Sequence, residues 1–180
     1  MKGIIRVDNE ERKQASKMHM SFFDKSRLAI EEGYYLEAVM YEYAAIEGRL
    51  EVICGLLGCP CNKELDSSIR KGINIGNRID CLKKLYRGHP ACKDCNTNLD
   101  SGFWKRLKQW TKSRNIYVHG LYKNPSAYIS RLEEREALAK EGLDLARLLY
   151  NDAKRIRRIV SAHPEKMEYA EPRCKKGQCF

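Results

Sequence analysis

The chain has 180 residues, of which 43% are hydrophobic and 32% charged, and its formal net charge is +10. This length and composition are typical of one globular domain with its own core, and they exclude a disordered chain. The sequence has no apolar run of the roughly 18 residues that a membrane helix needs, and its charged N-terminus does not resemble a secretory signal, so we expect a cytoplasmic protein without membrane contact.

Helical periodicity runs through most of the chain. It predicts a first helix over residues 9–31, in which Asp8 is the N-cap and Glu11 completes a capping box. Gly33 separates this helix from a second one over residues 34–57. The second helix carries one apolar stripe with spacings of three and four, formed by Val39, Tyr43, Ile46, Leu50, Ile53 and Leu57.

The remainder of the chain predicts an all-α helical bundle of four to five main helices, with an irregular, cysteine-containing excursion at about 58–100. The further predicted helices cover residues 63–71, 77–87, 102–119 and about 127–161. A loop is expected from Gly88 and Pro90, a cap at Asp100 or Ser101, and a helix end at Gly120. The apolar residues of the final helix are expected to face one way: Leu132, Leu145, Leu149, Ile156 and Ile159. One domain then spans residues 1–162, followed by a basic, cysteine-containing tail over 163–180.

The helix over 102–119 places an arginine on its apolar side. At about 100° per residue, Arg114 falls on the stripe of Phe103 and Trp110. A guanidinium left unpaired there would be costly to desolvate. Either Arg114 forms a buried ion pair, for example with Glu42 or Glu47, or the stripe opens at this point into a cleft or an interface.

Asn115 and His119 share a neighbouring face, about 100–140° from Arg114 around the helix. A single helix therefore does not close these three side chains into a triad. Two copies of the chain, brought together across a dimer axis, would be able to pool them in one cleft.

The stretch KSRNIYVHG, residues 112–120, resembles the R-x(4–6)-H motif of the HEPN superfamily, in which Asn, Asp or His commonly follows the arginine. Arg114, Asn115 and His119 match all three points of this motif. The resemblance implies a metal-independent endoribonuclease with a composite active site at a homodimer interface, acting as a toxin or defence effector. An antitoxin or other regulatory protein would restrain it.

The resemblance also assigns chemical roles. His119 would transfer protons, because imidazole titrates near neutral pH. Arg114 would grip two phosphate oxygens, and Asn115 would orient the scissile group or the imidazole. Related domains often carry a tyrosine for adenylylation two residues after the histidine, whereas here Leu121 holds that position and Tyr122 is the candidate.

Upstream of the motif, KRLKQWTKSR contains basic residues and no acidic one, which favours attraction of an RNA backbone. The residues expected to bind RNA are Lys105, Arg106, Lys108 and Lys112. The alternative is a non-catalytic HEPN-like module that binds RNA or a partner protein, since several such domains have lost nuclease activity. A positive net charge also fits a basic protein with no polyanionic partner.

Two close cysteine pairs fall in the irregular excursion, Cys59 with Cys61 and Cys92 with Cys95. Four thiolates on loops would be able to hold a structural zinc ion, although C-x-C is not the usual ligand spacing. Unligated thiols are the other interpretation. No cofactor is required for the catalysis that the motif implies, and a zinc-stabilised adaptor is a further alternative.

Overall fold

The computed structural model describes residues 9–58, 75–94, 99–123 and 132–163. For a few residues inside the helices it describes only the backbone. Within these ranges the chain is all-α and no strand is present. None of the described helices is both long and apolar enough to cross a membrane. The helices are α1 (Asn9–Glu31), α2 (Tyr35–Leu56), α3 (Ile75–Gly88), α4 (Pro90–Asp94), α5 (Ser101–Lys123) and α6 (Leu132–Ala162).

Helix α2 is the centre of the bundle and packs most extensively against α6 and α1. Gly142 of α6 lies beside Glu42 of α2. Tyr150, eight residues further along α6, lies beside Arg49, seven residues further along α2, so the two helices run in the same direction. The core is formed by the apolar stripes of these helices. The predicted stripe of α2 is confirmed, since Val39, Ile46, Leu50, Ile53 and Leu57 are buried and Tyr43 is partly buried.

The turn between α1 and α2 follows the prediction at Gly33. This glycine has φ of +79°, a left-handed conformation that side chains disfavour. The backbone N–H of Tyr34 donates to the carbonyl of Ala29 at 2.7 Å, which closes a Schellman-type end of α1. The predicted cap at Asp8 lies outside the described residues.

Helix α5 begins as expected, because Asp100 Oδ1 accepts a hydrogen bond from the Phe103 backbone N–H at 2.7 Å. Its predicted end at Gly120 is wrong, since the helix continues to Lys123. Glycine costs only about 1 kcal/mol relative to alanine inside a helix, and the packed face of α5 outweighs that cost.

Two further expectations need correction. The loop predicted from Gly88 instead contains α4, because proline suits the first helical position and His89 Nδ1 accepts a hydrogen bond from the Ala91 backbone N–H at 3.2 Å. The prediction that Leu132 shares a face with the other four apolar residues of α6 is wrong, because at about 100° per residue it lies roughly 100–180° from them around the helix, and it is 58% exposed. The other four predicted core residues of this helix are buried or partly buried. The predicted helix at 63–71 lies outside the described residues.

The contact between α2 and α6 requires a glycine at position 142, and this makes a stability prediction. A Cβ at Gly142 would come within 2.6 Å of Trp110 Cζ2 and would also collide with Glu42. We expect Gly142→Ala to lower the free energy of unfolding by about 2 kcal/mol or more, because the indole ring cannot yield without repacking. Gly120→Ala is the matched control, since nothing lies within 4 Å of a Cβ there.

The control should leave stability unchanged or raise it by up to about 1 kcal/mol. Urea unfolding of both variants measures the difference. Equal stabilities for the two variants would show that the close approach of α6 to Trp110 is not as described.

Candidate functional site

The buried side of α5 fixes how the helix is rotated in the bundle. Phe103, Trp104, Leu107 and Trp110 are all buried. The indole N–H of Trp110 donates to the carbonyl of Leu138 at 2.9 Å, and that of Trp104 donates to the carbonyl of Leu99 at 3.1 Å. The face that carries the motif residues therefore has a defined direction.

Arg114 lies half-buried on the side of α5 that faces α2. Its guanidinium carbon is 4.1 Å from the centre of the Tyr43 ring, which is a cation–π geometry. Nη2 lies 3.1 Å from Met40 Sδ, and Nη1 donates to Asn115 Oδ1 at 3.1 Å. The stack and these two contacts hold the guanidinium in place.

No carboxylate among the described residues lies within 4.0 Å of the Arg114 guanidinium, and its Nε has no hydrogen-bond partner there. Glu42 is instead buried, and its Oε1 accepts the hydroxyl hydrogen of Ser26 at 2.7 Å. Burial raises the pKa of Glu42 to about 9, so this side chain is neutral near pH 7. Neither predicted ion pair of Arg114, with Glu42 or with Glu47, is formed, and no described carboxylate neutralises the guanidinium charge.

Tyr43 is the platform on which Arg114 rests. Burial is the main cause of the raised pKa of Tyr43, and Glu47 adds to it, while Arg114 acts in the opposite direction. The phenol therefore stays neutral near pH 7 and offers the arginine an aromatic face without a formal negative charge.

Asn115 and His119 are both exposed on α5, one turn apart. Arg114 and Asn115 are brought together by their hydrogen bond. No hydrogen bond joins His119 to either of them within the described residues. A single protomer thus presents an Arg114–Asn115 pair and a separate imidazole, as the helical angles predict.

The four basic residues expected to bind RNA divide into two groups. Arg106 pairs with Glu141 at 2.8 Å and with Asp144 at 2.9 Å, and these two carboxylates raise its pKa. Lys108 pairs with Asp80 at 2.9 Å.

Lys105 and Lys112 are exposed and form no ion pair with a described residue. The acidic partners of Arg106 and Lys108 come from α3 and α6, which the local sequence of α5 does not reveal. The positive field along α5 is therefore weaker than its own composition indicates.

The structure describes only one of the four cysteines of the predicted zinc site. Cys92 is buried on α4, while Cys59, Cys61 and Cys95 lie outside the described residues. Among the residues that the structure describes, no group of three potential metal ligands is found. Tyr122 belongs to the last turn of α5, and its side chain is outside the described set.

Sequence reasoning considered two acidic residues of α2 as partners of Arg114 but missed the residues of α2 that contact it. Met40 and Tyr43 are three residues apart on one face of α2, and both contact Arg114. The spacing was visible, but nothing in the sequence shows that this face of α2 meets α5 at Arg114. Met40, which contacts Arg114, is 45% exposed, and Ile116, between Arg114 and His119 in sequence, is 65% exposed, so apolar surface lies beside the motif residues.

No protein-family model matches the sequence, and neither curated proteins nor solved structures gave a match.

Proposed function

We propose that this protein is a HEPN-type, metal-independent endoribonuclease whose active site is shared by two copies of the chain. The observation that carries the proposal is the environment of Arg114. Its positive charge lacks a carboxylate partner among the described residues, yet its position is fixed by Tyr43, Met40 and Asn115. A held but uncompensated guanidinium is suited to receive a phosphate group.

The chemistry follows from these groups. The ribose 2′-oxygen attacks the adjacent phosphorus as His119 removes its proton, and the bond to the 5′-oxygen breaks. The imidazolium of His119 then gives this proton to the leaving 5′-oxygen, which yields a 2′,3′-cyclic phosphate and a 5′-hydroxyl end. Arg114 stabilises the doubly charged phosphorane, and its hydrogen bond to Asn115 keeps the guanidinium fork oriented. DNA lacks the 2′-hydroxyl nucleophile and would not be cleaved.

A second copy of the chain supplies what one protomer lacks. Arg114 and His119 are about 140° apart around α5, so one substrate phosphate cannot easily contact both in the same protomer. Ile116, exposed beside His119, and Met40, exposed beside Arg114, would be covered in such a dimer. The role as a toxin or defence effector, with a restraining regulatory protein, rests on the motif resemblance.

The proposal is tested by incubating purified, dimeric protein with mixed-sequence RNA in EDTA. We expect cleavage to cyclic phosphate and 5′-hydroxyl ends, with no cleavage of DNA of the same sequence. Protein that binds RNA but leaves it intact would refute the nuclease and would favour the non-catalytic binding module.

The ion pair between Asp80 and Lys108 makes a separate prediction about RNA affinity. Asp80→Asn frees the Lys108 ammonium, so we expect RNA binding to tighten about two- to fivefold at low salt, and the salt dependence to steepen by about one ion. Asp24→Asn is the control, because Asp24 is exposed on α1, has no ion pair with a described residue and changes the net charge equally.

Fluorescence anisotropy with labelled RNA over a salt series measures both quantities. The same gain in both variants would mean that net charge, and not Lys108, determines the affinity.

A further inference from the structure

A second group of positive charges lies around the ring of Tyr150, where α1, α2 and α6 meet. The guanidinium carbon of Arg49 is 4.6 Å from the centre of this ring, and Nζ of Lys154 is 4.3 Å from it. Phe23 packs edge-on against the same ring, with a centroid distance of 5.5 Å. The ring is thus a platform shared by two cations.

Arg49 is the unusual member of this group. Its side chain is only 6% exposed, and neither Nε nor Nη2 has a hydrogen-bond partner among the described residues. Burial is the main cause of its lowered pKa, and the nearby charge of Arg157 lowers it further, while Tyr150 acts in the opposite direction. A buried guanidinium with unused donors, next to another cation, is costly unless an anion joins it.

The remaining cations lie on one stripe of α6. Lys154 and Arg157 follow Tyr150 by four and seven residues, so all three side chains point the same way. Both cations are exposed, and neither forms an ion pair with a described residue. This contrasts with Arg106 and Lys108 on α5, whose charges are neutralised by acidic neighbours.

We propose that Arg49, Lys154 and Arg157 form a phosphate-binding site, separate from the candidate active site on α5. Three positive charges without a described acidic partner match a phosphate dianion better than a singly charged carboxylate. The planar fork of Arg49 can bind two phosphate oxygens, which would satisfy its unused donors. Lys154 and Arg157 would close the site from the solvent side.

Thermal unfolding in the presence of inorganic phosphate, with ionic strength held constant by chloride, tests the site. We expect the Tm of the wild-type protein to rise with the logarithm of the phosphate concentration once this exceeds Kd, by roughly 5–10 °C at a hundredfold excess over Kd. Lys154→Gln with Arg157→Gln should remove this rise. Arg147→Gln, an exposed arginine of α6 without an ion pair to a described residue, should keep it.

Arg49→Met tests the buried member. It should lose the phosphate response, while its stability without phosphate stays equal or increases because an unpaired charge is no longer buried. If this variant does not fold, the double variant of Lys154 and Arg157 decides. A wild-type Tm that rises no more with phosphate than with chloride would overturn the proposal, as would a full response in the double variant.

The phosphate can come from a free ion or from the end of a nucleic acid. Short DNA with a 5′-phosphate or a 5′-hydroxyl distinguishes these sources without involving cleavage. At least tenfold tighter binding of the phosphorylated form, lost in the double variant, assigns the site to a nucleic-acid end. Equal binding of both forms, with the phosphate-dependent Tm rise retained, assigns it to free phosphate.

Discussion

His119→Ala is expected to reduce the rate constant of RNA cleavage by about 10²- to 10⁴-fold, the usual contribution of a general acid or base. His119 is exposed and has no hydrogen bond with a described residue, so its removal should change stability by no more than about 0.5 kcal/mol. Single-turnover cleavage in EDTA, together with urea unfolding, separates the two effects.

Arg114→Ala should remove activity to a similar extent, and Arg114→Lys should restore only part of it. Lysine keeps the positive charge but lacks the planar fork that binds two oxygens and stacks on Tyr43. The loss should appear in kcat more than in KM if the guanidinium acts on the phosphorane.

Ser113→Ala, an exposed neighbour on α5, is the control for changes in helix surface. The active-site assignment fails if the control loses as much activity as the two motif variants. It fails equally if both motif variants cleave at the wild-type rate.

The fold could be predicted largely because its long helices are amphipathic and their apolar residues meet in one core. The end of α1 at Glu31 was predicted correctly, and the bounds of α2 were predicted to within one residue at each end. The prediction failed where glycine and proline were interpreted as helix breakers. Gly120 lies inside α5, and Pro90 starts a helix, because both residues tolerate helical positions when the neighbouring contacts favour them.

The candidate site was less accessible to sequence reasoning because its contacts come from distant parts of the chain. The sequence placed Arg114 on the buried side of α5 but left open what it would meet. The structure supplies Met40 and Tyr43, more than 70 residues away in sequence, and no acid from the part of the chain that it describes. The same limitation affected Arg106, whose acidic partners lie on α6.

Glu42→Gln is expected to stabilise the protein increasingly as the pH rises. Glu42 is buried beside Ser26, Gly142 and Trp110, and one of its oxygens has no hydrogen-bond partner. Its pKa is about 9 in the folded chain, raised by burial, against an ordinary value of 4.5. The unfolded chain therefore releases this proton at low pH, while the folded chain retains it.

The sign follows from the proton balance. Between about pH 4.5 and pH 9 the folded state binds more protons at this site than the unfolded state, so stability falls as the pH rises, by up to about 1.4 kcal/mol per pH unit. Glutamine has nearly the same shape and cannot ionise, and its carbonyl can still accept the Ser26 hydroxyl hydrogen. The variant should match the wild type near pH 5 and exceed it by roughly 3–4 kcal/mol near pH 7.5.

Urea unfolding at several pH values between 5 and 8 measures this divergence. Glu37→Gln is the matched control, because Glu37 is exposed on the same helix and forms no ion pair with a described residue. Its stability should follow the wild-type pH profile. Parallel profiles for wild type and Glu42→Gln would mean that Glu42 is ionised in the folded protein.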